Sequence, residues 1–411
     1  MYIPIIYAGP FPYGYASANR VLSYAVEMAK MGHEVQVLSL VTYDQPFTEE
    51  EKADLEKRCA IKYKGIDVQY VSGREFWPHG KGSNIKKLLL YIKGLVNSYR
   101  ILKRERARFS SFLLYSTDPY YYSFYSWVSK KIGVKFIVER SELPAIEKEN
   151  EEYSSTIKGR MIIRRVLRSF KKPDAWILET QNLVDYYIPR ARNDCKYLIV
   201  PMTVDIDKFS APQKTCTPYS PYIAYCGNMS EVDGISILIR AYSLVVRKHP
   251  EYRLVLAGYS EDTPTQKELV KTLELTEKVI FLGRVPSEEV PQFLKNASIL
   301  ALASPTSMRS IATMPCKVGE YLCTSNPVVV TKLGEIPKYL TDGVSAYLPE
   351  ADSIDAFAES LERVIDSDST VIEGIGKAGL RVATENFNSE VQARHMLKFF
   401  NDLKNSSEKR K

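Results

Sequence analysis

The stretch IPIIYAGPFPYGYASANRVLSYAVEMAKMGHEVQVLSL, from Ile3 to Leu40, contains two apolar runs with an amphipathic run between them. A loop rich in glycine and proline follows the first apolar run. This order predicts a buried strand, a helix with apolar residues at helical spacing, and a second buried strand. Because two parallel strands need a long crossover between them, the pattern favours a parallel sheet covered by helices.

The same alternation continues along the rest of the chain. Further strands are predicted in the first half at VQYVS, FLLYS, KFIVER, AWILE and YLIV, and in the second half at YIAYCG, RLVLAG, VIFLG, SILALAS and PVVVT. The stretch SAPQKTCTPYSP (Ser210–Pro221) is rich in Pro, Ser and Thr, and it is the linker predicted between two α/β units. A last helix is predicted from NSEVQ, where Ser389 and Gln392 have the spacing of a capping box.

Composition predicts a soluble globular protein. The chain has 411 residues, 45% hydrophobic and 26% charged, with no apolar run long enough to cross a membrane and no signal-peptide pattern at its start. Its six cysteines are scattered without metal spacing, which favours reduced thiols and a cytoplasmic location. The four histidines give no metal motif.

The formal net charge of +7 is mild, but the basic residues are clustered. Seven cations and no acid lie within residues 158–172, and the stretch from Asn84 to Phe109 interleaves basic residues with leucines and isoleucines. We predict peripheral binding to an anionic membrane surface through these stretches. A solvated helix face is the alternative. Basic helices also suit a nucleic-acid binder, but no base-reading motif accompanies them, so no nucleic-acid partner is expected.

The stretch MPCKVGEYLCTSNPVVVT (Met314–Thr331) places a lysine in the first turn of a short predicted helix. Pro315 suits the first helical position, and a cation at Lys317 is unfavourable by about 0.3–1 kcal/mol because the helix dipole is positive there. A bound phosphate would remove that penalty, and Glu320 on the same helix face could accept hydrogen bonds from ribose hydroxyls. The alternative is an ordinary ion pair between Lys317 and Glu320.

Several motifs in order resemble the retaining glycosyltransferases of family 4, whose two-domain architecture is called GT-B. They are GHEVQVLSL, VPMTVDIDKF, YCGNM with DGISILIRAY, FLGRV, and GEYL with NPVVVT and GEIPKYL. A subgroup with ANR near the start and P-x-K-x-x-E-Y-L near the end is the most similar. The resemblance implies an α/β GT-B fold in which two Rossmann-like doubly wound domains face each other across a cleft.

The resemblance also implies the domains and the reaction. Residues 1–203 would bind the acceptor, residues 204–386 a nucleotide sugar, and residues 387–411 would form a helix crossing back to the N-terminal domain. The enzyme, of EC 2.4 type, would move a sugar to a saccharide or lipid-linked acceptor with retention, in the synthesis of cell-surface polysaccharide or glycolipid. It would act in the cytoplasm, peripherally on the inner face of the membrane.

Two positions depart from the family pattern. The family commonly has a glutamate eight residues before Glu320, where this chain has Ala312, and a lysine where it has Asp233. The subgroup tolerates both changes, with Lys317 supplying the cation for the phosphates and Arg309 as a candidate for a second one.

The resemblance assigns residues to each role. The donor would be bound by residues after the strand ends and around the short helix: Gly14, Gly227, Arg284, Val285, Arg309, Lys317 and Glu320. Acceptor candidates are Asn19, Arg20, Glu139 and Glu142. Catalysis would involve Asp118, which follows a strand end, and Lys317, which would stabilise the leaving diphosphate.

No cofactor is expected, and the reaction is predicted to be metal-independent. The segment DID (Asp205–Asp207) imitates a metal-binding DxD motif, but it falls in the interdomain segment, where the family gives Asp205 a structural role. Two further functions remain open. A nucleotide-sugar 2-epimerase would act with no acceptor, and a non-catalytic GT-B partner subunit would explain the departures at Ala312 and Asp233.

Overall fold

The computed structural model describes residues 1–13, 16–42, 48–73, 83–116, 118–145, 154–210 and 214–408. The chain forms two compact units. Unit 1 is residues 1–201 together with 389–411, and unit 2 is residues 202–388.

Unit 1 is built on a sheet with the strand order β3-β4-β2-β1-β5-β6-β7-β8. Every neighbouring pair is parallel except β3 and β4. The strands are β1 (Tyr2–Pro10), β2 (Glu34–Val41), β3 (Ala60–Tyr63), β4 (Ile66–Tyr70), β5 (Ser111–Tyr115), β6 (Lys135–Arg140), β7 (Ala175–Leu178) and β8 (Lys196–Ile199).

Six helices of unit 1 precede unit 2 within the described residues. They are α1 (Ala16–Lys30), α2 (Glu49–Arg58), α3 (Asn84–Glu105), α4 (Tyr120–Ile132), α5 (Ile157–Ser169) and α6 (Gln181–Tyr187). The central strands are apolar and almost fully buried, as expected where helices cover both faces of a parallel sheet. The aromatic run before and within α4 is divided: Tyr121, Tyr122 and Tyr125 are buried, whereas Tyr120 and Trp127 are exposed.

Unit 2 is built on a fully parallel sheet with the order β11-β10-β9-β12-β13. Its strands are β9 (Tyr222–Cys226), β10 (Arg253–Ala257), β11 (Val279–Gly283), β12 (Ile299–Leu302) and β13 (Val328–Val330). Its helices are α7 (Ile235–Val245), α8 (Thr263–Thr272), α9 (Val290–Asn296), α10 (Met308–Ala312), α11 (Cys316–Leu322), α12 (Ile336–Tyr339), α13 (Ile354–Ile365) and α14 (Ser369–Val382).

The last helix, α15 (Ser389–Glu408), belongs to unit 1 and packs against α1. Its predicted apolar face is buried in the core of unit 1, through Ala393, Met396, Leu397 and Phe400. None of the helices in the described ranges is long and apolar enough to cross a lipid bilayer.

Each predicted strand is present, and the predicted parallel α/β architecture is confirmed in both units. The linker prediction was wrong. The chain passes from one unit to the other at Pro201 and Met202, and Ser210–Pro221 falls within unit 2. The physical reason is that Met202, Val204 and Phe209, which precede the polar stretch, are buried in the core of unit 2. Residues 211–213 of the predicted linker lie outside the described residues.

Candidate functional site

The carboxyl ends of the strands of unit 2 meet at one edge of its sheet, where ligands bind in doubly wound folds. The strand order reverses between β9 and β12, so a crevice is expected beyond the end of β9. Gly227 follows β9, and its N–H donates to the carbonyl of Ala257 over 2.9 Å. Gly258 follows β10 and donates to the carbonyl of Gly283 over 2.6 Å. These glycines therefore line the edge with main chain alone.

Lys317 reaches into this edge from α11. A Cβ at residue 227 would lie 2.0 Å from Lys317 Cε, so any larger residue would displace the end of the lysine side chain from this position. The Lys317 ammonium lies 3.2 Å from Asp233 Oδ1 and 5.6 Å from the centre of the Tyr225 ring. Both charged side chains are mostly buried, at 19% and 16% exposed. The structure therefore gives Lys317 a different partner from the Glu320 suggested by the alternative of a surface pair.

The turn that carries Asp233 is held against the sheet by Gly234. This residue has φ +78°, and a Cβ there would lie 1.8 Å from the carbonyl oxygen of Ala303, just after β12. Any larger residue would push the turn away from the strand end. Asp233 also accepts a hydrogen bond from Ser230 Oγ over 3.3 Å. The departure from the family pattern at Asp233 is thus a built ion pair with Lys317.

Glu320 lies one turn after Lys317 on α11 and is partly buried. No hydrogen bond joins its carboxylate to another of the described residues. Burial raises the pKa of the Glu320 carboxyl, and the charges of Lys208 and Lys317 lower it in part. A desolvated carboxylate without a protein donor is able to accept hydrogen bonds from a ligand's hydroxyl groups.

Cys226 is the last residue of β9 and lies beside this group. Burial, reinforced by the charge of Glu320, raises the pKa of its thiol to about 12. The thiol is therefore protonated at neutral pH and is a poor nucleophile.

The remaining donor candidates lie around the same edge at different depths. Arg284 and Val285 directly follow β11, with Arg284 exposed. Arg309 is exposed on α10, a helix that Ser307 and Ser310 cap. Gly14 lies outside the described residues. The structure thus places Arg284, Val285, Arg309, Lys317, Glu320 and Gly227 on loops or helices that follow strands of one sheet, and their donor roles stay predictions.

The DID segment lies at the start of a short 3-10 helix, Ile206–Phe209. Asp205 directly precedes this helix, and its carboxylate is 4.0 Å from the Lys208 ammonium. Asp207 is exposed. Among the residues that the structure describes, no group of three or more acidic, histidine or cysteine side chains has a metal-binding arrangement.

Two acceptor candidates of unit 1, Arg20 and Glu139, are bound to each other. Arg20 Nε donates to Glu139 Oε1 over 2.7 Å, and its other two nitrogens donate to the carbonyls of Val200 and Pro201. Tyr24 donates its hydroxyl to Glu139 Oε2 over 2.6 Å. The Arg20 and Glu139 side chains are 5% and 0% exposed. The pair thus joins α1 to β6, and an acceptor role for it stays a prediction.

Burial and charge act in opposite directions on Arg20. Burial alone lowers its pKa, but the carboxylates of Glu139 and Glu179 raise the pKa of the guanidinium above its usual range. The Arg20 guanidinium therefore stays protonated at all pH values of interest.

The other candidates of unit 1 are more open. Asn19 is exposed on α1, and Glu142 is partly exposed after β6. Asp118 follows β5, and its carboxylate accepts the N–H of Tyr120 over 2.8 Å at the start of α4. Burial raises the pKa of the Asp118 carboxyl, whereas that hydrogen bond and the charges of Arg140 and Arg165 lower it. Asp118 thus has a capping role, and its catalytic role stays a prediction.

Sequence reasoning missed Arg140, the last residue of β6. It is 3% exposed, and its terminal nitrogens donate to the carbonyls of Ser116 and Glu142 over 3.1 and 3.2 Å. Its Nε has no hydrogen-bond partner among the described residues. The available signal is an arginine at the end of an apolar strand, beside the two glutamates that the sequence predicts as acceptor residues.

The second half of the chain matches a known family. Residues 209–379 match the model described as Glycosyl transferases group 1. D-inositol 3-phosphate glycosyltransferase of Corynebacterium aurimucosum is 23% identical over 206 residues, covering 46% of this chain and 47% of that protein. The amylovoran biosynthesis glycosyltransferase AmsK of Erwinia amylovora is 24% identical over 210 residues, covering 51% of each. The chain spans about half the length of the curated relatives it matches.

Solved structures are similar over nearly the whole chain. HepE of Anabaena in complex with UDP has a TM-score of 0.69 at 16% identity, covering 98% of this chain and 100% of that one. Sucrose-phosphate synthase of Thermosynechococcus elongatus has a TM-score of 0.69 at 14% identity, with the same coverage. These matches confirm the predicted GT-B fold of two Rossmann-like domains.

The Arg20–Glu139 pair predicts a large loss of stability when one partner is removed. Glu139→Ala should lower the free energy of unfolding by about 3–5 kcal/mol, because it leaves a buried guanidinium without its carboxylate. Urea unfolding followed by tryptophan fluorescence measures this in unit 1, since all three tryptophans lie in residues 1–201.

Asn19→Ala is the matched control, since Asn19 is exposed on the same helix and the change should stay within about 0.5 kcal/mol. A loss below about 1 kcal/mol for Glu139→Ala would show that the pair does not hold α1 to the sheet.

Proposed function

We propose that this protein is a retaining glycosyltransferase of family 4 that takes its sugar from a nucleotide-sugar donor. The observation that carries the proposal is the arrangement beyond β9 in unit 2. There the Lys317 ammonium lies over Gly227, and the Glu320 carboxylate has no protein partner among the described residues. A cation and a hydrogen-bond acceptor one helical turn apart match the diphosphate and ribose of a nucleoside diphosphate.

The comparisons support this donor class. The matched family segment, residues 209–379, contains Gly227, Asp233, Lys317 and Glu320. Relatives in two genera are named glycosyltransferases, and HepE, a protein of the same fold, has been solved with UDP and with UDP-glucose.

In the proposed reaction, the bond between the anomeric carbon and the diphosphate oxygen breaks as the acceptor oxygen bonds to that carbon on the same face. The acceptor proton passes to the departing diphosphate. Lys317 stabilises the charge that develops on this leaving group, with Arg309 as a second cation. Glu320 holds the ribose, and the main chain at Arg284 and Val285 faces the base. Asp118 would orient the acceptor in unit 1, near Asn19 and Glu142.

We propose that the charge of the diphosphate is met by these side chains without a metal ion or cofactor. In the described structure Asp205 precedes a short helix near Lys208, a structural position that suits this proposal.

The acceptor is proposed to be a saccharide or lipid-linked saccharide used for cell-surface polysaccharide or glycolipid. The protein would act at the cytoplasmic face of the membrane. The surface of α3 supports contact with a membrane. Five large apolar side chains of α3 are exposed, from Ile85 at 75% to Val96 at 39%, with Leu88, Leu89 and Ile92 between them. Their spacing is that of one helical face.

The first test of the function is turnover of a panel of nucleotide sugars with lipid-linked and free saccharide acceptors, in excess EDTA. We expect a glycosylated product whose anomeric configuration, read by NMR coupling constants, equals that of the donor. Inversion would contradict the family assignment. Activity lost in EDTA and restored by manganese would contradict metal independence. If the sugar of the nucleotide sugar is converted when no acceptor is present, the protein is an epimerase. If nucleotide sugars bind but none is turned over, the protein is a non-catalytic subunit.

The ion pair between Lys317 and Asp233 allows a sharper test of the donor site. Lys317→Met should weaken both UDP and pyrophosphate by about 1.5–3 kcal/mol, because a charged hydrogen bond is lost. Asp233→Asn should leave both affinities unchanged or higher, because it frees the ammonium for phosphate. Glu320→Ala should weaken UDP but leave pyrophosphate nearly unchanged, because pyrophosphate has no ribose. Calorimetric titration measures all three.

Lys248→Met is the control, since it breaks another unit 2 ion pair, to Glu362 over 2.7 Å. It should change neither affinity. If Lys317→Met and Glu320→Ala both bind UDP as the parent does, the donor site lies elsewhere.

The exposed face of α3 predicts how the protein binds membranes. The double change Leu88→Gln, Leu89→Gln should reduce co-sedimentation with anionic vesicles, because two apolar side chains lose their place among the lipids. The parent should bind anionic vesicles strongly, less so in high salt, since each nearby cation contributes roughly 1 kcal/mol. Binding should shift the fluorescence of Trp127, which is exposed on α4 and contacts Tyr99 of α3.

The matched control is Val344→Gln, Val371→Gln, which removes two exposed apolar side chains from unit 2. It should bind as the parent does. If the parent binds neutral and anionic vesicles equally, or binds neither, the proposed binding to an anionic membrane surface is rejected.

A further inference from the structure

A groove of about 580 Å³ lies in unit 1 between α4 and α5. Five cations line it: Lys158, Arg164, Arg165, Arg168 and Lys172. Lys158 and Arg168 are ten residues apart on α5, a distance of about 15 Å at helical rise. The groove is therefore an elongated basic channel along one helix.

These five cations differ from others in the same unit. Arg192 is paired with Asp174 and Asp194 over 3.0 and 2.6 Å, and Arg108 is paired with Glu105 over 3.0 Å. Within the described part of the chain, none of the five groove cations is in an ion pair. Cations grouped without acids repel one another, so an anionic ligand is the group that would stabilise this arrangement.

The groove also has apolar walls. Tyr120 of α4 and Met161 and Ile162 of α5 line it, and Met161 is exposed. The guanidinium of Arg165 lies 4.6 Å from the centre of the Tyr120 ring, which fixes this cation over the wall. A ligand that satisfies both the cations and these walls has an anionic group joined to an apolar chain.

The position of the groove relates it to the acceptor candidates. Tyr120 begins α4 only two residues after Asp118, at the carboxyl edge of the unit 1 sheet. Lys158 is the second residue of α5, and α4 and α5 are in contact. The groove therefore lies beside Asp118, and the charge of Arg165, which lines the groove, lowers the pKa of the Asp118 carboxyl. Helix α4 also packs against α3, whose apolar face is exposed.

We propose that this groove binds the phosphate or diphosphate of a membrane amphiphile that carries the acceptor. The cations hold the phosphate, and the first part of the lipid chain contacts Met161, Ile162 and Tyr120. The saccharide end then lies at the carboxyl edge near Asp118. Binding of the amphiphile rests only on the groove, whereas its role as acceptor rests on the proposed glycosyl transfer.

The probe is decyl phosphate below its micelle concentration, titrated by calorimetry into the full chain. The double change Arg164→Glu, Arg168→Glu should weaken it at least about tenfold, because two charged contacts are lost. The control is Arg160→Glu, Lys171→Glu, which makes the same charge change on the same segment outside the groove lining. The control should alter the affinity less than about twofold. Tryptophan fluorescence tests whether unit 1 of each variant is folded. If the charge-reversal variant is not folded, the double change Arg164→Gln, Arg168→Gln takes its place.

Three results would overturn the proposal. Equal weakening of decyl phosphate binding in the two double variants would show a general effect of charge. Inorganic phosphate bound as tightly as decyl phosphate would show a site for free phosphate, and a single-stranded RNA oligonucleotide bound more tightly would show a nucleic-acid surface. UDP affinity, measured in the same variants, should not change. If the parent protein turns over the donor but does not bind decyl phosphate, only the groove proposal is rejected. If the parent binds decyl phosphate but does not turn over the donor, only the proposed function is rejected.

Discussion

Parallel strand pairing is the constraint from which the rest of this structure follows. Two neighbouring parallel strands cannot be joined by a short turn, so helices must return the chain across the faces of each sheet. The helices bury both faces, which requires strands that are apolar throughout, as in β1, β9 and β12. All strands of unit 2, and most of unit 1, then end at one edge. The polar residues that follow strands are thereby collected there without any direct attraction between them.

At the edge of unit 2, the absence of one side chain sets the chemistry. Lys317 crosses the strand end because Gly227 has no Cβ, and Gly234 allows the turn with Asp233 to lie against β12. The free protein therefore has its phosphate-binding candidate already neutralised by a carboxylate. In the function that we propose, a diphosphate would have to displace Asp233 from Lys317, a competition that a lysine at position 233 would not impose. The ion pair keeps the ammonium desolvated yet satisfied while no ligand is present.

Sequence patterns predicted the elements better than their contacts. Apolar runs located every strand except β3, a four-residue edge strand with alternating burial and one lysine. Composition misplaced the linker, because Pro, Ser and Thr mark irregular backbone and say nothing of whether Met202 or Phe209 packs into a core. Lys317 and Glu320 could be singled out because both lie on one short helix. Asp233, the partner of Lys317, is 84 residues away in sequence, and only the fold brings the two residues together.

The cations of unit 1 fall into two groups, buried ones with a structural role and exposed ones that are candidates for binding a ligand. Arg20 and Arg140 are buried. Arg20 is paired with Glu139, and Arg140 donates to main-chain carbonyls, so of the nitrogens of these two side chains only the Nε of Arg140 is left without a partner among the described residues. The cations of α5 are exposed and without carboxylate partners among the described residues. Both kinds of arginine look alike in a sequence pattern, which predicts Arg20 as an acceptor residue. A buried charge that already has a partner is not available to a ligand. The exposed cations along the α4–α5 groove, which have no carboxylate partner among the described residues, are therefore where an anionic ligand would be stabilised most.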